Sequence, residues 1–185
     1  MRRHYHLPPL PVKTISAFIG DGIRKLVQRA LEGHNIEIDE AVRINLDFYL
    51  RHIHDKTTLY PGVAKGLAAL FNHGHALALI TNKGAEASEI ILAHFKILKL
   101  FSSVIGGDSG LPLKPAPDTV LETMRRTGMN AAATWMIGDN HTDLAAARNT
   151  GIKSIFVTYG IGKPSGETPS LTFDDFNSLI QHFTG

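Results

Sequence analysis

Apolar residues recur along this chain at two different periods, and the period changes near residue 60. In the first part Ile23, Leu26, Val27, Ala30 and Leu31 fall at helical spacing behind Gly20-Asp21-Gly22, and Gly33 ends the run. Asp39 then stands as an N-cap before a second stripe formed by Val42, Leu46, Tyr49 and Ile53. The spacing predicts helices over 20–32 and 40–54. Ahead of them, residues 1–13 carry Pro8, Pro9 and Pro11 and read as irregular. Pro61-Gly62 marks a boundary, after which Val63, Leu67, Leu70 and Phe71 predict a further amphipathic helix.

Beyond it, short apolar runs alternate with helical patterns. ALALI (76–80), residues 103–106, WMIG (135–138) and SIFVT (154–158) read as strands. Residues 85–95, 117–127, 142–150 and 174–183 read as the helices between and after them, and 160–170 reads as loop. Strand–helix alternation argues for a parallel, doubly wound α/β sheet. The predicted organisation is an irregular segment 1–13, a small helical subdomain 14–60 and an α/β core 61–185.

Composition narrows the function classes. Hydrophobic residues make up 43% of 185, enough for a core, and the net charge is only +2. No run concentrates the basic residues, so nothing points to nucleic acid. The chain has no cysteine, which excludes disulfides and thiolate catalysis and fits a reducing compartment. No apolar run approaches the ~20 residues of a membrane helix, and MRRHYHLPPLPV does not read as a signal peptide. The expected location is the cytoplasm.

Candidate chemistry sits at the predicted strand ends, where open α/β sheets bind ligands. Thr81 and Asn82 follow ALALI directly. A hydroxyl, an amide and free backbone N–H groups at a helix start can grip phosphate oxygens, although an ordinary helix cap has the same look. Lys114, between prolines in PLKPAP, can neutralise a phosphate; a surface lysine would read alike. Asp139 ends a strand and Asp143 lies one helical turn on, so both carboxylates can face one point and suit Mg²⁺. A capping aspartate followed by a first-turn aspartate would also give this spacing. The ten histidines, the pairs His4/His6, His52/His54 and His73/His75 included, read as surface residues.

Taken in order, LALITNKG (77–84), PLKPAP (112–117) and WMIGDNHTD (135–143) resemble the haloacid dehalogenase superfamily of phosphatases. VIGGDSGLPLKPAPDTVL (104–121), FIGDGIRKLVQRAL (18–31) and VTYGIG (157–162) look most like its phosphoglycolate phosphatase branch. The resemblance implies a Rossmann-like core with 14–60 as a helical cap. It implies phosphate binding by Thr81 and Asn82, a catalytic and phosphate-steadying Lys114, and Mg²⁺ on Asp139 and Asp143. The implied substrate is a small phosphorylated metabolite, 2-phosphoglycolate, cleaved through an aspartyl-phosphate.

The family's nucleophile motif, two acids two residues apart on a first strand, has no counterpart here. Asp21 is preceded two positions earlier by Ile19, and Asp108 reads as a loop or cap residue. The chain therefore reads as truncated, with its central N-terminal strand missing and activity weak or absent. The alternative is a non-catalytic relic that binds phosphate, metal or another protein. The missing strand would lie between those at 76–80 and 134–138. Either the neighbours close up, RHYHL (3–7) fills the slot, or another chain donates a strand; a homodimer through the exposed edges is one such outcome.

Overall fold

A computed structural model describes all residues, 1–185, as two compact units, Met1–Thr57 and Thr58–Gly185. The first is helical. A 3₁₀ turn at Arg2–Tyr5 precedes α1 (Val12–Ser16), α2 (Ile23–Ala30) and α3 (Ile38–Arg51). Val27, Leu31 and Ala41 form the core between α2 and α3, and Met1, Tyr5 and Leu7 pack against it. The opening residues pack onto this unit, largely without regular structure beyond the 3₁₀ turn and α1. Pro11 is tolerated because it precedes the first turn of α1, where a missing N–H costs nothing. Nor does RHYHL supply a strand: it is taken up by the 3₁₀ turn and its left-handed exit at His6. Glu37, not Asp39, caps α3, accepting the Glu40 N–H at 2.7 Å. Asp39 falls inside the first turn and pairs with Arg24 instead.

The second unit is the doubly wound α/β domain that the alternation predicts. Helix α4 (Val63–Asn72) leads into β1 (Leu77–Ile80), α5 (Ala85–His94) and β2 (Phe101–Ile105). Then come α6 (Asp118–Thr127), β3 (Trp135–Gly138), α7 (His141–Thr150), β4 (Lys153–Val157), β5 (Leu171–Phe173) and α8 (Phe176–Thr184). All strand pairs are parallel, but they form two separate sheets, β1–β2 and β3–β4–β5. No ladder joins β1 to β3, although Ile80 packs in one apolar cluster with Met136. The parallel order is interrupted at this position.

Strand β5 escaped the pattern because three residues, LTF, are too few for a period to show. The main core lies between β4 and helices α4 and α8, built on Leu70, Ile155, Val157, Leu179 and Ile180. Gly66 permits that packing: a Cβ there would stand 2.6 Å from both Phe176 Cε1 and Ile180 Cγ1.

Candidate active site

The residues singled out above gather at the carboxyl ends of β1, β2 and β3. Thr81 continues the β1–β2 ladder, its N–H donating to the Ile105 carbonyl at 3.0 Å. Its hydroxyl oxygen accepts the Lys83 N–H at 3.1 Å, which turns the chain toward α5. Asn82 is placed by a reciprocal pair with Lys114: its amide donates to the Lys114 carbonyl at 3.0 Å, and its Oδ1 accepts the Lys114 N–H at 2.9 Å. The Asn82 side chain is therefore a clamp on the lysine loop.

That clamp needs close backbone approach. A Cβ on Gly107 would lie 2.5 Å from the Asn82 carbonyl oxygen, and one on Gly106 would lie 2.1 Å from the Ala85 nitrogen. Asp108, next in the chain, reaches across to accept the Ala85 N–H at 2.8 Å. It caps α5 from a distant loop, and its carboxylate suits the positive end of that helix. Of the two roles open to Asp108, loop or cap, it serves as a cap from within a loop. Which helix it serves depends on two glycines that let the loop approach.

Lys114 is the centre of the arrangement. It is 8% exposed, and its ammonium donates to the Ile80 carbonyl at 2.8 Å and to Asp143 Oδ1 at 2.7 Å. An ammonium has three N–H donors, so one remains. Asp143, 7% exposed, also closes the capping box of α7: its Oδ2 accepts the Asn140 N–H at 3.0 Å, while Asn140 Oδ1 accepts the Thr142 N–H at 3.1 Å. Gly138 makes room for it, since a Cβ there would meet Asp143 Oδ2 at 2.3 Å. Asp143 is thus at once a helix cap and a counter-ion for Lys114.

Asp139 faces the loop after β4. Its Oδ2 accepts the N–H groups of Ile161 and Gly162, both at 2.8 Å, and Gly160 gives it space. Two small residues in YGIG are the only sequence trace of this contact. Tyr159 stands beside the same loop, 5.1 Å from Tyr60 between ring centres. Burial pushes its phenol up to about 12, and the charges of Asp175 and Asp139 act in the same direction.

A doubly wound parallel domain with polar side chains collected at its strand ends has the layout of an α/β protein that binds its ligand there. The chain belongs to the haloacid dehalogenase-like hydrolase family, whose model matches residues 1–157. It is similar to the phosphoglycolate phosphatase of Psychrobacter arcticus, 36% identical over 94% of this chain and 81% of that protein. A phosphoglycolate phosphatase of Pseudomonas fluorescens is 33% identical over 93% of this chain, which spans 66% of that protein's length. Among solved structures, a predicted phosphoglycolate phosphatase from Haemophilus somnus superposes with a TM-score of 0.92 at 28% identity, covering 98% of this chain and 86% of that one.

Phosphatases of this family generally use Mg²⁺. The residues present here do not complete a site for it. No three His, Asp or Glu side chains gather closely enough to hold a metal ion. Both oxygens of Asp143 are engaged, one of them by a cation, and only Asp139 Oδ1 is left without a hydrogen bond. Mg²⁺ takes an octahedral shell of hard oxygens, and a carboxylate already neutralised by lysine is a poor contributor to it.

Proposed function

We propose that the chain is a phosphoglycolate phosphatase-like protein that takes a small phosphorylated metabolite such as 2-phosphoglycolate in the cytoplasm and turns it over at no more than trace rates. The observation that carries this reading is the Asn82–Lys114–Asp143 network, which holds a buried ammonium at the ends of β1 and β3 beside Thr81. In this reading Thr81 and the backbone after it take the phosphate oxygens, Asn82 sets the lysine loop, and the third donor of Lys114 faces the developing charge.

The rate limit follows from the carboxylates. An aspartyl-phosphate route needs one free carboxylate to attack phosphorus and a second acid to protonate the leaving oxygen. Within residues 1–185, Asp143 is bound to Lys114, and Asp139 is fixed by two backbone N–H groups. The local charge of these three side chains is also negative, which opposes a phosphate dianion. For Mg²⁺ itself, calorimetric titration of the chain is expected to show only millimolar binding or weaker, on the order of that of a lone carboxylate.

The test is phosphate release from 2-phosphoglycolate in Mg²⁺, with Lys114→Met and Asp139→Asn alongside. Loss of a covalent nucleophile costs roughly six orders of magnitude, so trace release lowered further by Lys114→Met supports the reading. Turnover near the ~10 s⁻¹ of ordinary enzymes would sink the rate limit. Assembly is part of the same reading: the unpaired edges of β1 and β3 invite a homodimer. Light scattering that shows a monodisperse monomer would remove that element.

A further inference from the structure

The helical unit holds a cleft lined mainly by basic side chains. The opening turn carries Arg3 and His4, both exposed, and it is not a loose tail. Arg2 straps it down, its Nε donating to the Pro8 carbonyl at 2.7 Å and its guanidinium also to the Ala30 carbonyl. Met1, Tyr5 and Leu7 pack on the core beneath. One face of α3, with Ile44, Phe48 and Arg51 at four- and three-residue spacing and Arg43 next to Ile44, lines the same cleft as Arg3 and His4. The cleft is about 670 Å³, within the range of small-molecule sites.

Charge inside the cleft is unbalanced. Asp47 also lines it, but its carboxylate is taken by Arg51 at 2.6 Å. Arg43 is 77% exposed and has only Glu40 nearby, at 4.0 Å. Arg3 enters no ion pair. Two open guanidiniums and an imidazole therefore face a shared volume, and arginine forks match phosphate oxygens in pairs. Beside them Phe48 is 53% exposed, one side covered by His52 at 4.4 Å and the rest of the ring open. An uncovered aromatic ring next to unpaired arginines suits a ligand with a planar body and a phosphate.

We infer that this cleft binds an organic phosphate bearing a planar ring, the chemistry of a mononucleotide: phosphate on Arg3 and Arg43, ring on Phe48 and Ile44. The inference does not rest on the site at the strand ends. The experiment is calorimetric titration of the whole chain with adenosine monophosphate, adenosine and inorganic phosphate. Adenosine monophosphate is expected to bind with Kd about 1 mM or tighter, adenosine and phosphate each more weakly. Arg43→Glu and, separately, Arg3→Glu should weaken it about tenfold or more, each removing a charged fork. Phe48→Ser should weaken adenosine monophosphate about fivefold or more while leaving inorganic phosphate unchanged. Lys114→Met should leave the affinity as it was. Arg3 and Arg43 are exposed, so either charge reversal should keep the thermal melt; if one does not fold, the other decides. No binding at about 10 mM ligand, affinity indifferent to both reversals, or affinity lost in a Lys114→Met chain whose thermal melt shows it folded would each overturn the assignment.

Discussion

The two half-sheets of the α/β unit make an instructive contrast. By composition β1, LALI, is the more apolar strand, yet all four of its residues are only partly buried. In β4, KSIFV, Ser154, Ile155 and Val157 are buried, and Ile155 is 0% exposed. The difference lies in neighbours. β4 has β3 on one side and β5 on the other, and α4 and α8 contribute to the cluster around it. β1 has β2 on one side and no strand on the other. In edge strand β3, Ile137 is left 39% exposed for a similar reason. Apolar composition makes a strand possible; only a partner on each edge makes it central.

Besides the apolar contact of Ile80 with the Met136 cluster, Lys114 bridges the two halves, touching the last carbonyl of β1 and the capping aspartate after β3. The largest effect should therefore come from breaking that strap. Asp143→Ala leaves a buried ammonium unpaired and opens the α7 cap, at an expected cost of about 3–5 kcal/mol in urea unfolding. Lys114→Met combined with Asp143→Leu should recover most of that loss, because it strands no charge. A cost for Asp143→Ala below about 1 kcal/mol, the range of an exposed pair, would show that the halves hold together without it.

Next in size is Ile155→Ala, expected to cost about 2–5 kcal/mol through transfer and cavity terms. Leu79→Ala in β1 should cost about 1 kcal/mol, since half-exposed side chains lose mainly transfer energy. Equal losses would break the contrast between the two sheets. Hydrogen exchange sharpens it without mutation. The Ile155 amide is expected to exchange only with global unfolding, and the Leu79 amide through smaller openings. The same rate at both would mean that the halves unfold as one.

A further effect is electrostatic and belongs to the better-packed half. The Tyr159 phenol ordinarily titrates at 10.0 and is pushed up to about 12 by burial, then by Asp175. Between those values the folded state holds a proton that the unfolded chain has released. Stability should therefore fall as pH rises from 10 toward 12. Tyr159→Phe should flatten that limb of the pH–stability curve. An unchanged slope would assign the fall to other groups.

Much of this molecule could be read from residue order. Strand–helix alternation after Pro61-Gly62 predicts the doubly wound class; Thr81 and Asp139 are visible as polar residues just past apolar runs, Asp143 as an acid one helical turn on, and Lys114 as a lysine between prolines. Such signals are local, because a strand or a helix cap is specified within a few residues.

Other features depended on where distant segments meet. Asn82 grips Lys114 across thirty-two positions, and Asp108 caps a helix that begins twenty-three residues earlier. Asp139 binds the backbone of a loop twenty-three residues on. Arg3 and Arg43 face one cleft because Arg2 anchors the opening turn to α2. Each partner's short-range spacing is compatible with several roles, and long-range approach selects one of them. The split sheet is the clearest case. Nothing inside LALI marks it as an edge, for a strand becomes an edge only through the neighbour it lacks.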